Sequence, residues 1–138
     1  MNVLVDTSVW SLAYRRAPTT LNPQQLTLLN ALGELASDGR AQLLGIVRQE
    51  ILSGLREASQ FERLRKLLQA FPDVHLETED YEEAARITNI CRAKGVTGSI
   101  VDYLICATAV RRDWFIFTLD NDFDGYAKHL PVRLLRVR

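Results

Sequence analysis

Val-Leu-Val-Asp-Thr-Ser, residues 3–8 of the chain, is a short apolar run that stops at an acid. Three consecutive apolar residues between polar ones are typical of a short strand that is buried on both faces. Such strands belong to parallel sheets that are covered by helices on both sides. The run therefore predicts an α/β fold in which Asp6 directly follows the first strand.

The rest of the chain repeats this alternation of strand and helix. With the first strand at 2–5, apolar patterns predict further strands at 41–44, 74–76, 115–118 and 132–137. Helices are predicted at 8–15, 23–38, 46–56, 59–71, 80–93 and 99–112. Strands that alternate with helices form parallel sheets with right-handed crossovers. We therefore expect residues 1–138 to form one α/β domain, a five-stranded parallel sheet sandwiched by helices.

Several helix starts carry capping signals. Asn22, followed by proline, predicts the start of one helix, and Ser99 predicts the start of another. Ser59 with Glu62 three residues later predicts a capping box. The helix at 80–93 is expected to pack through one face, which consists of Tyr81, Ala84, Ala85, Thr88 and Cys91.

The charge balance restricts how the chain can meet a polyanion. Its 17 Lys and Arg face 17 Asp and Glu, so the formal net charge is zero. This balance excludes a basic tail that binds nucleic acid by bulk charge, and also an acidic disordered chain. A polyanion would have to be bound by a local arrangement of charges. The candidate phosphate contacts, which could equally form a solvated face, are Arg15, Arg16, Arg48, Arg92, Lys94, Arg111 and Arg112.

The composition also indicates a cytoplasmic protein. We find no secretory signal and no stretch of about 18 apolar residues, so no membrane contact is expected. The two cysteines, Cys91 and Cys106, lie in apolar helical patterns without the spacing of a zinc site. They are interpreted as buried thiols in a reducing compartment.

Acidic residues stand where the predicted strands end. Asp6 follows the first strand, and Asp120 and Asp122 follow the strand at 115–118. Glu50 and Asp102 interrupt helices that are otherwise apolar near their starts. The active sites of parallel α/β sheets lie beyond the carboxyl ends of the strands, so these five acids are the candidate catalytic residues.

Each acid, taken alone, also has a purely structural interpretation. Asp6 could cap the helix that follows it, and Asp102 could complete a capping box. Glu50 could pair with Arg48 or Arg56. The two acids after the fourth strand could be turn residues.

Taken together, the acids imply a bound cation. Two carboxylates about 4 Å apart repel each other by about 4 kcal/mol at an effective dielectric constant near 20. A fold keeps four or five of them at one sheet edge only if a cation neutralises them. Oxygen ligands select Mg²⁺ or Mn²⁺. Two such ions can activate a water and stabilise the leaving oxygen in phosphodiester hydrolysis.

Four segments resemble the acidic motifs of PIN-domain ribonucleases, and specifically of the VapC-type toxins of bacterial or archaeal toxin–antitoxin pairs. The segments are 3–10, 50–55, 102–109 and 118–123, and the similarity covers essentially the whole chain. The third segment departs from the family pattern, because Cys106 stands where a small residue, often alanine, is usual.

This resemblance implies endonucleolytic cleavage of RNA that depends on Mg²⁺ or Mn²⁺. It also implies a homodimer that is inhibited by a small cognate antitoxin similar to VapB. Carried over residue by residue, Asp6 would be the central metal ligand, with Asp102 and Asp120 completing the metal site. Glu50 would be a ligand or a base that orients water. Either Asp120 or Asp122 would be the fourth acid of the family pattern.

Side chains near these acids complete the predicted site. The hydroxyls of Thr7, Ser8 and Thr118 could orient Asp6 or a bound water. Trp10 and Tyr14 form an aromatic ridge, four residues apart on the first helix. This ridge is either part of the core or a partly exposed groove that receives the antitoxin.

Two other functions remain open from the sequence. The chain could be an RNA-processing nuclease of the same fold without an antitoxin, or a non-catalytic binding module whose acids serve the structure. A phosphoacceptor domain is disfavoured, because the haloacid-dehalogenase motif needs an aspartate where Ser8 stands.

Overall fold

The computed structural model describes residues 1–15 and 18–137, and these residues form four strands and seven α-helices. The strands are β1 (Val3–Val5), β2 (Ala41–Gln42), β3 (Phe115–Phe117) and β4 (Arg133–Leu134). The helices are α1 (Thr7–Arg15), α2 (Pro23–Ser37), α3 (Gly45–Ser53), α4 (Ala58–Leu68), α5 (Thr78–Ala93), α6 (Ile100–Arg112) and α7 (Asp122–Ala127). A turn of 3₁₀ helix, Pro18–Thr20, precedes α2.

The first strand lies in the interior of the sheet. The strand order is β2-β1-β3-β4 and all neighbours run parallel. Val3 stands opposite Ala41 on one side and Phe115 on the other. The three residues of β1 are fully buried. The predicted α/β fold with a parallel sheet is therefore confirmed.

The sheet has four strands in the described residues, so the predicted number of five is wrong. The segment 74–76 does not form the third strand, and the chain beside it meets the sheet through one parallel bridge between Leu43 and Asp73. A side chain takes up part of this segment's hydrogen-bonding capacity, because Arg112 Nη2 donates to the carbonyl of His75 at 3.0 Å. Backbone groups satisfied in this way do not need a ladder partner.

Helix starts follow the capping prediction at two of three places. Asn22 Oδ1 accepts a hydrogen bond from the N–H three residues on at the start of α2. Ser99 Oγ accepts one from the N–H of Asp102 at the start of α6. The capping box predicted for Ser59 is wrong, because α4 already begins at Ala58 and Ser59 lies inside the helix.

A buried ion pair joins α5 to α6 beside part of the predicted apolar face. Asp80 is fully buried and accepts hydrogen bonds from Arg111 at 2.6 Å and Arg112 at 2.7 Å. Ile87 turns inward, whereas Tyr81 is 56% exposed and Ala85 is also exposed, so the predicted face is wrong at these two residues. Apolar periodicity cannot identify a buried acid such as Asp80, because its burial depends on ion pairs with two arginines on another helix.

The helix α6 positions part of the site. It packs on β1 and β3, and every residue from 103 to 109 is buried. Asp102 stands in its first turn. Nowhere in residues 1–15 and 18–137 is a helix long and apolar enough to cross a membrane.

Candidate active site

Two hydroxyls hold the carboxylate of Asp6 at the carboxyl end of β1. Its N–H donates to the carbonyl of Phe117 at 2.9 Å, which places Asp6 beside Thr118. Ser8 Oγ and Thr118 Oγ1 each donate to Asp6 Oδ2 at 2.8 Å. The N–H of Ser8 reaches the same oxygen at 3.4 Å, so Asp6 also caps α1, as one interpretation proposed. These donors fix the direction of a carboxylate that is only 5% exposed.

The acidic turn after β3 is tied to one of these hydroxyls. The N–H of Asp120 donates to Thr118 Oγ1 at 3.0 Å. The N–H of Asp122 donates to Asp120 Oδ1 at 2.9 Å, a bond typical of aspartate in a turn. Thr118 therefore connects the turn to the end of β1 through a single oxygen atom.

Asp102 is half-buried and receives a strong hydrogen bond from another helix. Tyr126 Oη donates to Asp102 Oδ2 at 2.6 Å. Burial raises the pKa of Asp102 above its ordinary value, the hydrogen bond from Tyr126 opposes this, and the charges of Asp6 and Asp120 raise the pKa further. The effect of those charges indicates that the three acids share one electrostatic environment.

Three carboxylates form a cluster. One oxygen each from Asp102, Asp120 and Asp122 lies within 4.8 Å of the others. Asp6 is linked to this cluster through Thr118, which bonds to both Asp6 and the N–H of Asp120. The structure thus brings together acids from the ends of two strands and the start of α6.

Glu50 is held by a threonine rather than by an arginine. Thr7 Oγ1 donates to Glu50 Oε1 at 2.7 Å. Arg48, one of the alternative partners, instead forms an ion pair with Asp73 at 2.8 Å. The structure therefore connects Glu50 to the residue after Asp6, and the three-carboxylate cluster does not include it.

The five candidate acids have no cationic partner among the side chains that the structure describes. Among the described side chains, no Lys or Arg forms an ion pair with any of the five candidate acids. Some of the candidate phosphate contacts are used elsewhere, because Arg111 and Arg112 bind Asp80 and Arg48 pairs outside the site. Arg16 lies outside the described residues. Only hydrogen-bond donors balance the negative charge of the acids in this part of the chain.

Comparison with known proteins identifies the family. The family model of the PIN domain matches residues 3–129. The chain belongs to the PIN-domain family. Ribonuclease VapC11 of Mycobacterium tuberculosis is 33% identical to this PIN domain over 128 residues, which cover 91% of the chain and 92% of that protein. A VapC ribonuclease of Mycobacterium bovis matches with the same identity, 33%, over the same 128 residues in length.

Solved structures share the architecture of this PIN domain. FitAcB from Neisseria gonorrhoeae is similar with a TM-score of 0.74 and 21% identity, over 97% of this chain and 96% of that one. VapBC2 from Rickettsia felis, bound to a DNA fragment from its promoter, has a TM-score of 0.70 and 16% identity, over 99% and 98% of the two chains. At this level of identity the likeness shows the fold.

Of the two residues in the aromatic ridge of this PIN domain, Trp10 belongs to the core. Trp10 is fully buried, its indole N–H donates to the carbonyl of Val5 at 3.1 Å, and its ring meets Phe71 edge-on at 4.8 Å. The prediction that Trp10 lines an exposed groove is therefore wrong. Tyr14 stacks on Trp10 with centroids 6.0 Å apart and is partly buried, and its part in a groove stays a prediction.

The sequence patterns of this PIN domain did not identify two residues that lie beside the acids. Tyr126 binds Asp102, and Gly98 packs against the Tyr126 phenol. The helix α7 that carries Tyr126 was not predicted. The signal that could have found Tyr126 is its spacing of four residues from Asp122, which places both on one helix face.

Proposed function

We propose that this PIN domain is a metal-dependent endoribonuclease that hydrolyses RNA phosphodiester bonds, and that it is the toxin of a VapBC-like toxin–antitoxin pair. The observation that carries the proposal is the acid cluster, three carboxylates with oxygens within 4.8 Å of one another. No cationic side chain among those described pairs with them. The relatives named VapC ribonucleases supply the substrate class.

The donor set fits Mg²⁺ or Mn²⁺. All of the candidate ligands are carboxylate oxygens, which these hard cations prefer. The charges of Asp6 and Asp120 raise the pKa of Asp102, so a divalent cation would relieve a repulsion that the fold maintains. Asp6, Asp102 and Asp120 would hold the metal, and Asp122 would be the alternative to Asp120.

The metal would supply positive charge to the scissile phosphate and lower the pKa of the attacking water. The chain's own residues set the geometry, since Ser8 and Thr118 fix Asp6 and Tyr126 fixes Asp102. Glu50 is exposed and held by Thr7, so it can orient the water and accept its proton. Attack of the water oxygen would form a new bond to phosphorus and break the P–O3′ bond, which gives a 5′-phosphate, and the departing O3′ would take a proton from solvent and become a 3′-hydroxyl.

A purified-protein assay tests the nuclease. Asp6→Asn should reduce Mn²⁺-dependent cleavage of RNA to background. The matched control is Asp38→Asn, which makes the same chemical change at an exposed acid that precedes β2, on the opposite edge of the sheet. That control should cleave as the wild type does, and excess EDTA should stop both. Persisting metal-dependent cleavage by Asp6→Asn would refute the assignment.

Induction in cells tests the toxin role. Wild type, but not Asp6→Asn, should arrest growth and produce one dominant new RNA 5′ end in the cytoplasm. Co-expression of a small protein encoded directly upstream should restore growth and co-purify with the chain. Cleavage without arrest or rescue would indicate an RNA-processing nuclease instead. If induction neither arrests growth nor cleaves RNA, the chain would be a non-catalytic binding module.

The assembly is tested separately. We propose a homodimer, and light scattering of the purified protein should give twice the 15.7 kDa mass of one chain. A mass equal to one chain at micromolar concentration would contradict this part of the proposal.

A further inference from the structure

We infer that Tyr126 is a positioning residue of the nuclease site, which holds Asp102 in the direction needed to bind a divalent cation, and that Gly98 makes room for its phenol. This inference rests on the proposed function. It concerns a residue outside the acidic motifs, on a helix that the sequence patterns did not reveal.

The Tyr126 phenol is fixed from several sides. Its side chain is 1% exposed, and its ring lies 5.3 Å from that of Tyr103 and 5.2 Å from that of Phe123. Its hydroxyl donates to Asp102 Oδ2 at 2.6 Å. A carboxylate oxygen only accepts, so the Tyr126 hydroxyl is the donor in this bond.

Gly98 is the residue that permits this arrangement. A Cβ at position 98 would lie 2.6 Å from the Tyr103 hydroxyl oxygen and 2.7 Å from that of Tyr126. Contacts this short cannot be accommodated without moving one of the rings. The loop before α6 is thus shaped to the two phenols, and Asp102 follows four residues later on the same segment.

The hydrogen bond constrains the carboxylate as a whole. Once Oδ2 is held by a rigid, buried donor, rotation of the carboxyl group is restricted and the direction of Oδ1 is also set. A hydrogen bond to a charged acceptor is stronger than one between neutral groups, so this donor holds the carboxylate firmly. Partners of this kind typically contribute 10- to 100-fold to metal affinity.

The direct test is Mn²⁺ binding to the metal-free full chain, measured by calorimetry and by electron paramagnetic resonance. Tyr126→Phe should weaken Mn²⁺ binding about tenfold. The matched control is Tyr103→Phe, which removes one hydroxyl from the same buried ring cluster, where it donates to the Val96 carbonyl at 3.5 Å rather than to Asp102. This control should bind Mn²⁺ within twofold of wild type.

The activity assay separates positioning from general damage. Tyr126→Phe should need about tenfold more Mn²⁺ for half-maximal cleavage and regain wild-type turnover at saturating Mn²⁺, with the KM for RNA unchanged. Gly98→Ala should reproduce the weaker Mn²⁺ binding while both tyrosines are intact. The added methyl would meet the hydroxyls of Tyr103 and Tyr126 and displace the Tyr126 phenol from Asp102.

The outcomes are distinguishable. Mn²⁺ affinity of Tyr126→Phe equal to that of Tyr103→Phe, in a wild type that binds Mn²⁺ and cleaves RNA, would overturn this inference alone. A wild type that neither binds Mn²⁺ nor cleaves RNA would overturn the proposed function together with it.

Discussion

The hydroxyl of Thr118 donates a 2.8 Å hydrogen bond to Asp6 Oδ2, although the two residues are 112 positions apart. The parallel register of β1 and β3 brings them together. Val5 stands opposite Phe117, so Asp6 and Thr118, which follow these two residues, lie side by side. The same Thr118 oxygen accepts the N–H of Asp120. One hydroxyl therefore joins two of the proposed metal ligands.

Replacing Thr118 with valine should weaken Mn²⁺-dependent cleavage about tenfold, because Asp6 loses one of its two hydroxyl donors and the Asp120 turn loses its anchor. Initial rates at subsaturating Mn²⁺ measure the effect. Thr27→Val is the control, since Thr27 is exposed on α2 and donates only to a helix carbonyl. Equal rates for the two variants would contradict the role of Thr118.

Asp80→Asn should lower the free energy of unfolding by about 3–5 kcal/mol, because it leaves two guanidinium groups without their buried counter-charge. Urea denaturation measures the change. Asp113→Asn serves as the control, because its ion pair with Arg133 involves a side chain that is 85% exposed and contributes about 0–1 kcal/mol. If Asp80→Asn lowers the free energy of unfolding as little as the control does, the ion pairs of Asp80 with Arg111 and Arg112 do not stabilise the fold.

The same acid makes stability depend on pH. The hydrogen bonds from Arg112, the Glu77 backbone and Arg111 hold the pKa of Asp80 well below its ordinary range, despite burial. In the unfolded chain the aspartate has a pKa of about 3.9, so as the pH falls it is protonated before Asp80 of the folded chain. The contribution of Asp80 is therefore complete above about pH 5 and declines as the pH falls below it. Urea midpoints from pH 7 to pH 3 should fall more steeply for wild type than for Asp80→Asn, and parallel curves would contradict this.

Asp102→Asn should stabilise the metal-free protein by about 1 kcal/mol while abolishing cleavage, as substitutions at strained functional groups often do. Burial and the charges of Asp6 and Asp120 disfavour an ionised carboxylate at this position, and asparagine removes the charge but retains an oxygen for Tyr126. Thermal unfolding in EDTA measures the change. A lower melting temperature for the variant would show that repulsion at this position is negligible.

Mn²⁺ should stabilise the wild type, because it binds the folded chain and has no assembled site in the unfolded one. At 100 times Kd the expected gain in the free energy of unfolding is about 2.7 kcal/mol. Asp120→Asn should lose most of this gain, and Asp38→Asn should keep it. Thermal unfolding at increasing Mn²⁺ concentration shows the effect, and an equal shift for all three proteins would place the binding elsewhere.

The sequence was informative about the acids because their positions depend on local patterns. An apolar run that ends at Asp6, and another that ends before Asp120, predict strand ends, and parallel pairing then brings such ends to one edge. The hydroxyls of Ser8 and Thr118 were predictable for the same reason, since they are neighbours of those acids along the chain.

The contacts that were not predicted join residues on different helices. The spacing from Asp122 could have placed Tyr126 near the acids, but its bond to Asp102 depends on how α7 packs against α6, which that spacing does not report. The burial of Asp80 likewise depends on arginines 31 and 32 residues away. The segment predicted as a further strand likewise has a partner that is distant in sequence, because Arg112 donates to the carbonyl of His75.

The place of β1 in the sheet has a consequence during synthesis. Asp6 leaves the ribosome before the strand that completes its surroundings, β3, and before the turn with Asp120, because Thr118 is translated 112 residues after Asp6. A nascent chain therefore carries Asp6 without Thr118 and without the other ligands. The proposed nuclease cannot act on the RNA of the ribosome that is making it until the turn with Asp120 has also emerged.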